Sequence, residues 1–156
     1  ALDFFSSQGS AGVSASNRIR GVVLHDVLSR VFVPEDLDSA VRTSVLSGDL
    51  AEDEAEQVRV LLAGRISEVA GMGWFPQDRG SVMNEVELID SDGSIFRPDR
   101  VIKAGESVIV VDYKFGEHDN RYLRQVRKYA DIWKRMGYRN VSAFLWYVQT
   151  GDIVQA

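Results

Sequence analysis

Two short runs in the second half of the chain combine residue types that perform phosphoryl chemistry. In Arg97-Pro98-Asp99-Arg100 an aspartate opens an apolar segment, and in Val111-Asp112-Tyr113-Lys114 an aspartate and a lysine stand two apart. Residues two apart on a strand share a face, so Asp112 and Lys114 form a polar face within an apolar strand. Ionised carboxylates are costly to bury unless a cation offsets them, and aspartate oxygens select hard ions such as Mg²⁺. A neighbouring lysine can hold an attacking water or steady the phosphoryl group while a metal acidifies that water. Phosphodiester hydrolysis is the reaction this suits. An Asp–Lys ion pair serving structure alone is the plainer alternative.

The elements that must position these residues change character midway. Ile19, Val22, Val23, Val27, Leu28 and Val31 recur at helical spacing, predicting a helix from Arg18 to about Val31 with Asn17 as its cap. A second helix is expected from Pro34, carrying Leu37, Val41, Val45 and Leu46 to a stop at Gly48. A third runs from about Glu52, acidic in its first turn, to Gly71. Beyond Gly73 the period becomes that of strands. Val82–Ile89 reads as a strand, Ser91-Asp92-Gly93 as its turn, and Ile95–Lys103 as the returning arm of a hairpin. The β-branched run Ser107–Lys114 suits a central strand buried on both faces. A helix from about Asp119 to Met136 and a strand from Val141 to Val148 follow, which implies a parallel crossover. Trp74, Trp133 and Trp146 are expected in the core. The fold class is α/β or α+β, a mixed sheet flanked by helices with a helical N-terminal half.

Composition narrows the function classes. A length of 156 residues suits one domain, and 45% hydrophobic with 26% charged residues excludes a disordered or collagen-like chain. No apolar run is long enough for a membrane span, and the opening Ala1-Leu2-Asp3-Phe4-Phe5 lacks the pattern of a secretion signal, so a cytoplasmic protein without a membrane partner is expected. The absence of cysteine removes disulfides, thiolate zinc sites, iron–sulfur clusters and cysteine nucleophiles. Residues 1–17 are rich in Ser and Gly and do not begin with Met. They are expected to be a linker-like segment of a longer protein, ahead of a single domain at residues 18–156.

A net charge of −5 disfavours nucleic acid unless a local basic patch reverses the sign. Arg121, Arg124, Arg127, Lys128, Lys134, Arg135 and Arg139 supply one on and just after the helix that follows Lys114. Tyr122, Gln125 and Tyr129, spaced three and four apart, share one face of that helix and can border the site. The patch would neutralise phosphates of a single strand, with Tyr122 or a neighbouring aromatic stacking a base. Arg97 and Arg100 alternate with Asp99, and either reach phosphate or pair with nearby acids.

Pro98-Asp99 followed by Asp112-Tyr113-Lys114 resembles the PD-(D/E)XK nuclease motif. Three further features are similar to its RecB-like exonuclease group: Gly21-Val22-Val23-Leu24-His25 to a GxxxH motif, Glu85 to a glutamate on the strand before the Pro-Asp strand, and Gln125-Val126-Arg127-Lys128-Tyr129 to a QxxxY motif. The order of the motifs agrees over about Arg18–Val148. Glu87 competes with Glu85. The resemblance implies a restriction-endonuclease-like fold and a site in which His25, Asp99, Asp112 and the Tyr113 backbone carbonyl hold Mg²⁺ or Mn²⁺. It further implies that Glu85 assists, that Lys114 orients the water, and that Gln125, Tyr129, Tyr122, Arg100 and Arg124 bind substrate or support the site. The lack of cysteine excludes the branch of this group stapled by an iron–sulfur cluster.

The activity expected is metal-dependent exonuclease cleavage of DNA, in end processing and recombinational repair. The substrate would be single-stranded DNA fed by a UvrD- or AddA-like helicase motor in the same parent chain, with a partner subunit as a further candidate. No GxxxxGK[ST] loop is present, so ATP hydrolysis would lie outside these residues. The rivals are a non-catalytic DNA-binding or scaffolding domain of a helicase complex and a stand-alone exonuclease.

Overall fold

The computed structural model describes residues 21–156; the linker-like stretch, Asn17 and the expected start of the first helix lie outside them. Three helices open the described chain. The first, α1, covers residues 21–29 and buries Val23, Leu24, Val27 and Leu28. A 3₁₀ turn at Pro34–Asp36 leads into α2 (Leu37–Leu46), and a second at Glu52–Glu54 into α3 (Ala55–Glu68). Each begins close to where its acidic or proline start signal stands in the sequence.

Seven strands follow: β1 (Val82–Asn84), β2 (Leu88–Ile89), β3 (Ile95–Phe96), β4 (Arg100–Ala104), β5 (Ser107–Lys114), β6 (Asn140–Tyr147) and β7 (Asp152–Gln155), with helix α4 (Asn120–Arg135) between β5 and β6. Five of them form a mixed sheet in the order β1-β4-β5-β6-β7. β5 and β6 are parallel along their whole length, joined by α4 as the strand–helix–strand pattern requires. The central strands are buried on both faces. Val108, Val110 and Leu145 pack with Val126, Ile132 and Trp133 of α4, while Val111, Tyr113 and Trp146 pack with Val27, Leu28 and Leu62 of α1 and α3. Trp74, Trp133 and Trp146 are all buried. No helix among the described residues is long and apolar enough to cross a membrane.

Two expectations change. The continuous hairpin is broken: β1 pairs with β4, whereas β2 and β3 form a separate two-stranded ribbon. Asn84↔Arg100 and Leu88↔Phe96 lie four residues apart on both arms, so one register runs across the break. The interruption is a backbone kink, with Glu85 in the left-handed region at φ 55°. Strand β7 was not expected; it pairs antiparallel with β6 after a turn in which Gly151 takes φ 86°. Its four residues carry too little alternation to signal a strand.

Candidate metal-dependent phosphodiesterase site

The break in the hairpin creates the site. Strand pairing would turn Glu85 and Asp99 into ordinary ladder residues, but the kink keeps only the Glu85 N–H to Asp99 carbonyl bond at 3.1 Å and releases both side chains. Arg97 fixes the kink by donating from Nε to the Glu85 carbonyl and from Nη2 to Glu85 Oε2, each at 3.0 Å. Arg97 was given no definite task in the sequence; its place at the opposite side of the broken register is what assigns one.

Asp99 and Asp112 bind each other's backbone. The Asp99 amide donates to Asp112 Oδ1 at 3.0 Å, and the Tyr113 amide donates to Asp99 Oδ2 at 2.8 Å. His25 reaches the same point from α1, with Nε2 2.8 Å from Asp99 Oδ1 and Nδ1 3.5 Å from Glu85 Oε1. Gly21 explains the first position of the GxxxH pattern: a Cβ there would lie 3.2 Å from Cβ and Cγ of Phe115, the residue after Lys114. Only glycine lets the start of α1 come this close to the end of β5 without displacing that ring.

Lys114 is buried, and α4 receives its ammonium. Nζ lies 3.5 Å from Asp112 Oδ2, 3.3 Å from Gln125 Oε1 and 4.4 Å from the centroid of the Tyr122 ring. Gln125 therefore orients Lys114, and Tyr122 gives it an aromatic face. Tyr129 is buried and packs edge-on against Phe96 of β3 at 5.7 Å, where it braces the ribbon against α4. Arg124 is exposed on the same helix. Glu87 is exposed too, whereas Glu85 stands beside His25.

Arg100 corrects an expectation. It is fully buried, its guanidinium donating to the backbone carbonyls of Val31, Phe32 and Trp74 and stacking 3.8 Å from the Phe75 ring centroid. Alternation along β4 puts it on the side of α1–α3, where chain ends leave carbonyls that a planar fork can satisfy.

The charges are under tension. Burial of Asp112, reinforced by the charge of Asp99, pushes its carboxyl from 3.8 up to about 7 against the pull of Lys114. Burial also opposes charge on His25 and Asp99, but their mutual hydrogen bond and attraction prevail, raising His25 and lowering Asp99. Asp112 Oδ2 remains buried without a hydrogen-bond partner. Its nearest cation is the Lys114 ammonium at 3.5 Å, too loose for a hydrogen bond, which leaves that oxygen able to take a metal ion as well. His25, Glu85 and Asp99 add ligand atoms that all lie within 4.8 Å of one another. Oxygen donors with one imidazole fit a hard divalent ion, so the residues present suit the Mg²⁺ or Mn²⁺ that the resemblance implies.

Of the basic helix, Arg121 pairs with Asp119, Arg135 with Asp90, and Arg139 with Glu106. Arg124, Arg127, Lys128 and Lys134 are exposed and, among the described residues, form no ion pair.

Comparison with curated proteins gives no match. A family model matches residues 6–155, from ahead of α1 to the end of β7, so it spans the helical half as well as the sheet that carries Asp99, Asp112 and Lys114. On that match, and with the two aspartates and the lysine meeting at the strand ends where the motif requires them, the chain belongs to the PD-(D/E)XK nuclease superfamily.

Proposed function

We propose that this domain is a Mg²⁺-dependent deoxyribonuclease of the RecB-like type, acting exonucleolytically on a DNA end delivered by a helicase motor in the same parent chain. The observation that carries the reading is the buried Oδ2 of Asp112, which faces the Lys114 ammonium at 3.5 Å and accepts no hydrogen bond. An ion pair serving structure alone would need neither His25 nor Glu85 close by. The RecB-like assignment is supported by the contacts that GxxxH and QxxxY make: His25 on Asp99, and Gln125 on Lys114.

His25, Asp99, Asp112 and the Tyr113 carbonyl would hold the cation, with Glu85 at its flank. When bound, such an ion supplies Lewis acidity to the phosphate and a lowered pKa to a coordinated water. Lys114 donates hydrogen bonds to the attacking water and to a non-bridging phosphate oxygen, and Gln125 fixes the direction of its ammonium. Water oxygen bonds to phosphorus, the P–O bond to the departing alcohol breaks, and a proton given up by the attacking water ends on the departing oxygen by way of solvent. The unpaired cations of α4 hold phosphates of the strand away from the reacting one.

The test is cleavage of labelled single-stranded and duplex DNA by the purified chain with Mg²⁺, Mn²⁺ or EDTA, beside Asp112→Asn and Lys114→Met. Metal-dependent cutting that both substitutions abolish supports the proposal. A folded chain that binds DNA and Mg²⁺ yet never cuts would establish the scaffolding role instead.

A further inference from the structure

The functional residues stand along one edge of the sheet. Glu85 follows β1, Asp99 precedes β4, Asp112 and Lys114 end β5, Tyr147 ends β6, and Asp152 begins β7. Lys114 and Tyr147 are register partners, as are Tyr147 and Asp152. Adjacent strands lie about 4.8 Å apart, so Tyr147 begins one strand spacing from the lysine. A chain of nucleotides that leaves the site across the strand ends toward β6 would pass next over Tyr147.

His118, in the loop between β5 and α4, covers that tyrosine. The rings are stacked with centroids 3.9 Å apart and planes 7° from parallel. Asp152 Oδ2 holds the imidazole edge at 3.2 Å from Nε2. Tyr147 is buried beneath, while the His118 side chain keeps 55% of its surface exposed. The result is a flat, half-exposed ring supported on one face and one edge. Neither the family motifs nor the chemistry of the metal site uses it.

The surroundings decide what this ring can take. Glu117 and Asp152 flank His118 with negative charge, while Asp119 is paired with Arg121, so among the described residues the ring face itself has no cation aimed at it to favour a phosphate. The uncharged face of a nucleobase needs no cation, and every base has one. Inside a duplex both faces of a base are already covered by its neighbours. We propose that the His118–Tyr147 stack is a platform for the unstacked base of the nucleotide adjoining the scissile phosphate, and that it makes a single-stranded or frayed end the substrate. The proposal rests on the nuclease reading above and adds a specificity-determining residue to it.

The decisive experiment pairs binding with kinetics. Single-stranded oligonucleotides carrying 2-aminopurine at successive positions are bound to the cleavage-blocked Asp112→Asn chain, alone and combined with His118→Ala or His118→Phe. Stacking should quench the probe at one position next to the protected phosphate, in the parent and the Phe variant but not in the Ala variant. In the otherwise unaltered chain, His118→Ala should raise KM for single-stranded DNA about tenfold, with the loss falling on KM rather than kcat, and His118→Phe should restore it. An abasic nucleotide at that position should penalise the parent and leave the Ala variant indifferent. Equal KM and equal abasic penalty in parent and Ala variant, with cleavage intact, would overturn the platform alone. A parent chain that neither binds nor cuts DNA would overturn the nuclease reading and the platform together.

Discussion

Asp99 and Asp112 hold each other through the backbone: the Asp99 amide donates to Asp112 Oδ1, and the Asp99 carboxylate accepts from the amide just after Asp112. Each aspartate thus spends one oxygen on the strand junction. The oxygens left are those that meet His25 and Lys114. The junction fixes both carboxyl groups before any ion arrives, which is the preorganisation that a metal-assisted hydrolase needs.

Stability of the metal-free chain should fall as pH rises. A group whose pKa is higher in the folded state stabilises fully below its unfolded pKa and loses that contribution as pH rises through the folded value. Asp112 is raised from 3.8 to about 7 and His25 is raised above its usual 6.5, so both act in the same direction, Asp112 between about pH 4 and 7 and His25 from about pH 6.5 upward. Asp99, which is lowered, contributes the opposite slope only below 3.8. Melting in EDTA should show Tm decreasing from pH 5 to pH 8, with the slope reduced in Asp112→Asn and Mg²⁺ restoring Tm at the alkaline end. A Tm that rises over this range would contradict the assigned charge tension.

Lys114→Met should abolish cleavage and also destabilise the metal-free fold at pH 8. Removing one partner of a buried pair leaves the other uncompensated, typically at a cost of about 3–5 kcal/mol. Adding Asp112→Asn removes the stranded charge and should recover most of the loss. Chemical denaturation of the two single variants and the double variant measures this coupling; additive effects would mean that the two side chains do not interact.

At Glu85 the backbone and the side chain can be separated. The left-handed φ of 55° costs a non-glycine residue on the order of 1 kcal/mol, which glycine avoids. Glu85→Gly should therefore be more stable than Glu85→Ala by about that amount. Both variants should lose metal affinity and activity alike, because both remove the carboxylate near His25. Equal melting temperatures would show that the kink relaxes once Arg97 is released.

Arg100 is expected to matter for folding alone. Arg100→Met leaves the Val31, Phe32 and Trp74 carbonyls without their shared donor, and Arg100→Lys cannot span them. A loss of about 3 kcal/mol or more is expected for either. Activity per folded molecule should persist at low temperature, measured after quantifying the folded fraction. A large rise in KM without a fall in stability would return Arg100 to the substrate.

Much of this protein is written locally. The β-branched run of β5 announces a strand covered on both faces, and Tyr122, Gln125 and Tyr129 announce one helix face, because period and spacing are properties of neighbouring residues. Asp99, Asp112 and Lys114 were legible because their types are costly in an apolar strand without a purpose.

Other features depended on groups far apart in the chain. Nothing local distinguishes Glu85 from Glu87; the left-handed kink held by Arg97 does so, and it forms only when the two arms of the hairpin meet. Arg100 looked equivalent to any arginine beside the site until the carbonyls of residues 31, 32 and 74 were brought around it. The stacking of His118 on Tyr147 likewise needs the crossover helix to return β6 beside β5. Sequence alone singled out the residues proposed to carry the chemistry and most of the elements that present them. Tertiary structure decided which way each side chain faces, because that follows from strand pairing and backbone hydrogen bonds made across long stretches of chain.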